Sequence, residues 1–390
     1  MIRPTVARVD LSALKTNYRR ITEFLARGAE RHARTTDDKA RAPAIIAVVK
    51  ANAYGHGAGQ VARALEDAGA DLIACADIEE GAALRAAGVR AEILVFGALS
   101  VSDLDGIFDC RLTPTISSPG AARAVQAAAA KYRQRLPFHL KIDTGMNRLG
   151  FRRDNLARTL PPLFASPNLE LHAVYTHFAT ADDVESPLFE EQLLRFERAL
   201  EEVATLGGQP RYRHAANSAA ILRDARAWYE RVRPGLLLYG LVPPMANRQL
   251  PIGNSYSLDL IPVMTLGSRV TAVKGVRVGE GVGYGVHFTA SRPTDVAIIP
   301  AGYADGLDMR LAGRGVVLIR GKRAPIVGSV CMDMLMADVT GLDVSPGDPV
   351  VLIGNQGSDR IDVREMAAAI GTIPYEILCR IGARIERVYE

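Results

Sequence analysis

Residues 44–57 read AIIAVVKANAYGHG. From Ala44 to Val49 the chain is apolar almost without a break and rich in β-branched side chains, with Pro43 behind it and a glycine-rich turn ahead. Such a run predicts a strand covered on both faces, as in a parallel sheet. Lys50 closes it. An ammonium drawn out of water must be paired, neutralised or put to chemical use. Tyr54, Gly55, His56 and Gly57 follow, small and polar groups suited to a loop over a ligand. Lys50 therefore reads as a reactive amine, poised to form a Schiff base.

Outward from this strand the pattern repeats. Strand-like runs recur at Leu72–Ala76, Glu92–Gly97, Leu112–Ile116, Pro137–Asp143, Glu170–His177, Arg211–Ala215 and Tyr229–Arg233. Helix-compatible segments fill the gaps, among them GQVARALEDAGA, DIEEGAALRAAG, SPGAARAVQAAAAKYRQ and PLFEEQLLRFERALEEVATLGG. Strands alternating with helices predict parallel βαβ units, and eight strands predict an α/β fold of the (β/α)8 TIM-type barrel class. A doubly wound open sheet is the alternative. Ahead of the first strand, Ser12–Ala26 carries Leu14, Tyr18, Ile21 and Leu25 at helical spacing, with Ser12 as N-cap. The charged stretch Gly28–Ala42 reads as a surface loop with no chemical role.

Near residue 250 the helical periodicity stops. From Asn254 the chain offers short β-rich runs, VMTLGSRVTAV, TDVAIIPAG, GVVLIRGKRAPIVGSV, MLMADV and DPVVLIG, separated by turn residues. They predict a C-terminal mainly-β domain, closed by two short helical pieces around REMAAAIG and PYEILCRIG. The expected division is residues 1–250 for the barrel and 251–390 for the β domain, with the segment before Ser12 a candidate partner strand for the latter.

Bulk properties narrow the function classes. A chain of 390 residues, 48% hydrophobic, with a net charge of +4 spread along it, reads as a soluble globular protein large enough for two domains. No basic block argues for nucleic acid, and no apolar run is long enough to span a membrane. The first residues lack the apolar core of a secretory signal, and Cys75, Cys110, Cys331 and Cys379 show no metal-like spacing. The expectation is a cytoplasmic protein with free thiols and no bound metal.

A barrel places its active site at the C-terminal ends of its strands. Lys50 ends the first strand; Lys141, Asp143 and Arg148 end or follow the fifth in KIDTGMNRLG; His177 ends the sixth; Asn217 and Ser218 follow the seventh; Arg233 ends the eighth, before Pro234, Gly235 and Leu236. Any one of these has a mundane reading, a surface ion pair or a satisfied core histidine. Their joint placement does not. The segments after the last two strands are where barrels hold phosphate, on backbone N–H groups at helix starts. Ser218 and the Gly235–Leu236 turn supply such groups, and Tyr54 offers a hydroxyl. A reactive lysine facing a phosphate cradle points to pyridoxal 5'-phosphate (PLP), and neither GxxxxGK[ST] nor GxGxxG is present for a nucleotide.

In order along the chain, VVKANAYGHG, KIDTGMNRLG, YTHFATADD, RPGLLLYG, GVGYG, GYADG and CMDM closely resemble the motifs of alanine racemases. The resemblance implies a homodimer of barrel-plus-β-domain chains with an active site shared between subunits. Its reaction is the PLP-dependent interconversion of L- and D-alanine for peptidoglycan synthesis. It further implies that Lys50 carries PLP and acts as one base, and that Tyr284 in GVGYG, from the partner subunit, is the other. Arg233 then pairs with the pyridine nitrogen, His177 supports Arg233, and Arg148 bonds the phenolic oxygen and substrate. Tyr54, Ser218, Gly235, Leu236 and Tyr375 hold the phosphate, and Met332 fixes the substrate carboxylate through its N–H. Lys141 matches a position that is often carbamylated. Bases on opposite faces are what racemisation requires, since a proton leaves one side of Cα and returns on the other. Rivals are a broader-specificity racemase of the same family, a PLP decarboxylase of the same architecture, and a lone-barrel PLP-binding protein. Arg233 and the YTHFATADD pattern speak against the second, and the β domain against the third.

Overall fold

The computed structural model describes residues 3–32, 42–99, 103–243, 245 and 258–390. The chain divides into two units, one of Leu14–Ala51 and Gly59–Ile261, the other of Met1–Ala13, Asn52–Ala58 and Pro262–Glu390. The boundary expected at 250/251 lies outside the described residues.

In the first unit the eight expected strands are present: β1 (Ala44–Val48), β2 (Leu72–Cys75), β3 (Glu92–Val95), β4 (Thr113–Ile116), β5 (Leu136–Asp143), β6 (Leu169–Tyr175), β7 (Tyr212–Asn217) and β8 (Arg231–Arg233). They pair in parallel in sequence order, and β8 returns to β1 through Arg231↔Ala44 and Val232↔Ile45. The sheet is a closed barrel, so the open doubly wound alternative is excluded. Ile45 to Val48 are buried, as a strand covered on both faces requires.

Side chains two apart on a strand share a face. In this barrel the shared inner face is polar: Thr113 and Thr115 on β4, His139 and Lys141 on β5, Tyr175 on β6, His214 on β7 and Arg233 on β8 are all buried. The aliphatic core lies outside the barrel wall, under helices such as Leu188–Thr205, whose Phe189, Leu193, Phe196 and Val203 are buried.

One expected loop is partly helix. The first helix runs Leu11–His32, and Gly28 to His32 belong to it rather than to a surface loop. Asp10, not Ser12, caps it, accepting the Ala13 N–H at 2.7 Å. Gly28 is required inside this helix because a Cβ there would lie 2.3 Å from the Trp228 ring. Residues 33–41 of the expected loop lie outside the described residues.

The second unit is mainly strand, as expected. Its sheet orders Ala272–Val276, Thr294–Ile299, Leu335–Asp338, Lys322–Val327, Val316–Ile319, Pro349–Gln356, Met264–Arg269, Val6–Val9 and Glu386–Tyr389. Val6–Val9 lies antiparallel to Met264–Arg269 and parallel to Glu386–Tyr389. The last of these strands was not anticipated. The two terminal helices are Val363–Ile370 and Pro374–Arg380.

Candidate active site

One residue, Val49, separates Lys50 from the end of β1, and Lys50 opens a turn of unusual hand. Ala51, Asn52, Ala53 and Tyr54 have φ of 53, 52, 54 and 52°. Four successive non-glycine residues therefore adopt the left-handed helical conformation, which costs roughly 1–2 kcal/mol per residue for L-amino acids. Such strain persists only where the surroundings over-determine it. On the barrel side Glu80 clamps the turn, one carboxylate oxygen accepting the Ala51 N–H at 2.6 Å and the other the Ala76 N–H at 2.8 Å. Within the second unit, Gly57 N–H bonds Asn52 O at 2.9 Å, and the Asn52 side chain accepts from Ala58 N–H at 2.8 Å.

Gly55 and Gly57 answer to packing rather than to loop mobility. A Cβ on Gly55 would meet Leu378 O at 2.1 Å, and one on Gly57 would meet the Tyr389 hydroxyl at 1.9 Å. Tyr54 is buried with its ring 5.9 Å from that of Tyr375, so these two hydroxyl bearers come together in the second unit. His56, buried between them in sequence, bonds the Ala53 and Tyr54 carbonyls through Nδ1.

Inside the barrel, Arg233 is held from all sides. Its Nη1 donates to His214 Nδ1 at 2.7 Å, and its Nη2 donates to Thr176 O and Ala215 O at 2.8 Å and to His177 Nδ1 at 3.2 Å. Its guanidinium lies 5.3 Å from the centroid of the Tyr175 ring. Burial brings its pKa down to about 10, so it stays a cation at neutral pH. His177 accepts through Nδ1 and is neutral: burial, then the charges of Arg233, Lys141, Arg148 and Lys50, hold it well below the usual histidine range.

Lys141 is 6% exposed, with its ammonium 5.6 Å from the centre of the Tyr175 ring. Burial first, then repulsion from Arg148 and Arg233, brings its pKa to about 8, with Asp143 opposing and Lys50 adding to the fall. Lys50, Arg148 and Arg233 all act by charge on both Lys141 and His177. Arg148 is exposed and, among the described residues, makes no hydrogen bond or ion pair. Ser218 begins the short helix Ser218–Arg223, capped by Asn217, and its Oγ accepts the Gly235 N–H at 2.9 Å. Leu236 opens the next helical turn after Gly235. Ser218, Gly235 and Leu236 are therefore gathered at two helix starts, where N–H groups converge on an anion.

The pattern for "Alanine racemase, N-terminal domain" matches residues 9–243, and that for "Alanine racemase, C-terminal domain" matches residues 263–389. An alanine racemase of Carboxydothermus hydrogenoformans is 42% identical over 389 residues, covering 100% of both chains. The chain belongs to the alanine racemase family. Its members are isomerases, and so is this enzyme. Among solved structures, the alanine racemase of D-cycloserine-producing Streptomyces lavendulae is 33% identical with a TM-score of 0.90, over 100% of this chain and 98% of that one. The Bacillus anthracis enzyme, solved with bound L-Ala-P, is 35% identical with a TM-score of 0.87, over 100% and 96%.

In the second unit, Tyr284 sits on a turn whose Gly283, Gly285 and Val286 have φ of 75, 71 and 49°. The Ser329 hydroxyl pins it, donating to Tyr284 O at 2.6 Å, and the Tyr284 side chain is 79% exposed. Tyr284 lies on the rim of a groove of about 1000 Å³ lined also by Cys331, Met334 and Met336. Met332 is exposed; its carbonyl accepts from Ala304 N–H at 3.0 Å, and its own N–H has no partner among the described residues.

Sequence reasoning passed over Tyr175 and His214, which touch Arg233, and over His139 and Tyr212, which continue in series from His214. A signal existed: His139 stands two residues before Lys141 and Tyr212 two before His214, each pair on one face of its strand, and Tyr175 ends β6 two residues before His177.

Proposed function

We propose that this enzyme interconverts L- and D-alanine on pyridoxal 5'-phosphate with two bases, Lys50 and Tyr284. The observation that carries the reading is Lys50 at the mouth of a barrel whose inner wall presents the Arg233 guanidinium, held by neutral acceptors. The donor set suits PLP: an amine for its aldehyde, Ser218 with the N–H groups around Gly235 and Leu236 for its phosphate, and Arg233 for its ring nitrogen. Tyr54 and Tyr375 add phenolic hydroxyls to the phosphate, and Arg148 bonds the phenolic oxygen. When bound, PLP supplies an electron sink that makes the Cα proton of an attached amino acid acidic.

The chain's own groups do the rest. Arg233, a donor that stays charged, leaves the ring nitrogen unprotonated, which weakens the sink and suppresses side reactions. His177 accepts from Arg233 and fixes its plane. The Lys50 amine takes or returns the proton on one face of Cα, and the Tyr284 phenol serves the other. Met332 N–H and Arg148 hold the substrate carboxylate. Lys141, with its pKa near 8, exposes enough free amine for carbamylation, which reverses the charge beside Arg148. The exposure of Tyr284 in the single chain supports a homodimer in which it completes the partner's site. A cytoplasmic role in supplying D-alanine for peptidoglycan agrees with this chemistry. Among the described residues no helix is long and apolar enough to cross a membrane.

Incubating the purified protein with PLP and L-alanine in D2O should yield both enantiomers deuterated at Cα, with the visible absorption of bound cofactor lost in Lys50→Ala. Decarboxylated product without D-alanine overturns the proposal. For the shared site, mixing inactive Lys50→Ala and Tyr284→Phe proteins under subunit exchange should restore activity. No recovery despite proven exchange would place both bases on one chain.

A further inference from the structure

Arg233 is 4% exposed, and its hydrogen-bond partners among the described residues are two imidazoles and two carbonyls, with no carboxylate. A buried cation without an acid is costly. The protons around it show where its charge is answered. An arginine only donates, so His214 Nδ1 must offer its lone pair to Nη1. His214 is neutral, because burial and then the Arg233 charge hold it well below the usual histidine range. Its single proton therefore sits on Nε2, which donates to His139 Nδ1 at 3.1 Å. His139 is neutral for the same leading reason, burial, and by the same logic carries its proton on Nε2. That nitrogen donates to the Tyr212 oxygen at 3.0 Å.

The order is forced from Arg233 outward, and every donor points away from it. Tyr212, first residue of β7, stands at the N-terminal mouth of the barrel, opposite the active site, and its oxygen receives the last proton of the series. Glu92, first residue of β3, stands at that mouth. Its carboxylate lies within 4.8 Å of a His139 ring nitrogen, and after burial its charge is the leading influence raising the Tyr212 phenol. Glu92 is itself fixed by the Thr113 hydroxyl, which donates to it at 2.8 Å. His172 Nδ1, 3.8 Å from the Glu92 carboxylate, is buried without a hydrogen-bond partner among the described residues.

We propose that Glu92 is the counter-charge of Arg233, standing beside His139 at the far end of the fixed tautomers of His214 and His139 that cross the barrel. His139 and Tyr212 are then positioning residues: they act on the ring-nitrogen partner only through His214. A metal site is the competing reading, because Glu92, His139 and His172 offer ligand atoms within 4.8 Å of one another. The proton order removes His139 from that set, since its one lone pair already faces His214. The functional consequence rests on the PLP reading above; the proton order does not.

The test is long-range proton–nitrogen NMR on the full chain labelled with 15N-histidine, recorded without PLP and again with it. Assignments come from His139→Gln and His214→Gln. The expected result is an Nε2–H tautomer at both His139 and His214 in the cofactor-free protein. Glu92→Gln keeps the shape and an acceptor but removes the charge; it should move both sets of nitrogen shifts and weaken PLP binding roughly tenfold, with Glu92→Asp restoring both. An Nδ1–H tautomer at either histidine overturns the proposal. So does a Glu92→Gln protein with a lowered thermal midpoint but unmoved histidine signals, the mark of a merely structural role. One equivalent of Zn2+ should leave the spectrum unchanged; a stoichiometric shift of His139 and His172 would establish the metal site instead. Failure to bind PLP would sink the proposed function while leaving the tautomer result to decide this inference.

Discussion

Replacing Ala51 with glycine should stabilise this barrel, the reverse of what the same change does in an ordinary helix. Ala51 follows Lys50 with φ of 53° and an exposed side chain. The left-handed conformation presses its Cβ against the following carbonyl, at a cost of about 1–2 kcal/mol that glycine avoids. Glycine also loosens the unfolded chain, which takes back about 0.5–1 kcal/mol. The methyl group is in solvent, so no packing is lost. The balance is a gain of about 0.5–1 kcal/mol. Ala83, exposed in the right-handed helix Ile78–Ala86, is the control, and Ala83→Gly should lose about 1 kcal/mol. Urea unfolding of the cofactor-free protein, followed by tryptophan fluorescence, measures both. Trp228 is the sole tryptophan in the sequence. It is buried in the same unit as Ala51, its Nε1–H bonded to Ile221 O at 3.0 Å. A lower midpoint for Ala51→Gly would refute the argument, because it would mean the turn carries no strain. Turnover should fall in the same variant, since the strained turn is what holds Lys50 in one position.

Gly28→Ala should lower stability despite alanine's better helix propensity, because the new Cβ would lie 2.3 Å from the Trp228 ring; overpacking of this kind costs about 1–3 kcal/mol, and a raised thermal midpoint would contradict it. Lys141 should take up 13C-bicarbonate as a carbamate: its pKa near 8, against the ordinary 10.5, leaves ~300-fold more free amine at pH 7. The carbamate resonance should grow from pH 6 to 8 and be missing in Lys141→Ala; no signal at any pH refutes it. Acid should destabilise the barrel. His139, His177 and His214 are held neutral, first by burial, well below the ordinary 6.5, so below that pH the unfolded chain binds three protons that these sites refuse in the folded chain. Stability present above pH 6.5 should fall by up to about 4 kcal/mol per pH unit on acidification from these three alone, measured by urea midpoints, and a flat profile would show that these histidines titrate in place.

Much of the fold was legible in order along the chain. Ala44–Val49 and its seven successors are short apolar runs set between helical segments, and that alternation reports parallel strands because side chains must satisfy local periodicity before any long-range contact forms. Motif order carried the family, and barrel geometry carried the grouping of Lys50, Lys141, His177 and Arg233, since strand ends converge by construction. The hand of the turn after Lys50 was not legible. Alanine and tyrosine prefer right-handed backbone, and only clamps such as Glu80, distant in sequence, hold them otherwise. Nor could the chain order reveal that Gly55 and Gly57 are glycines because Leu378 and Tyr389 come within 2.1 and 1.9 Å of where a Cβ would stand. The same holds for Arg233. A sequence shows an arginine at a strand end, but whether its charge is answered, and through which atoms, depends on strands far apart in the chain closing into one barrel. Lys50 was visible as a reactive amine from its neighbours in sequence; the polar interior that answers the charge of Arg233 exists only once β3, β5, β7 and β8 share one barrel.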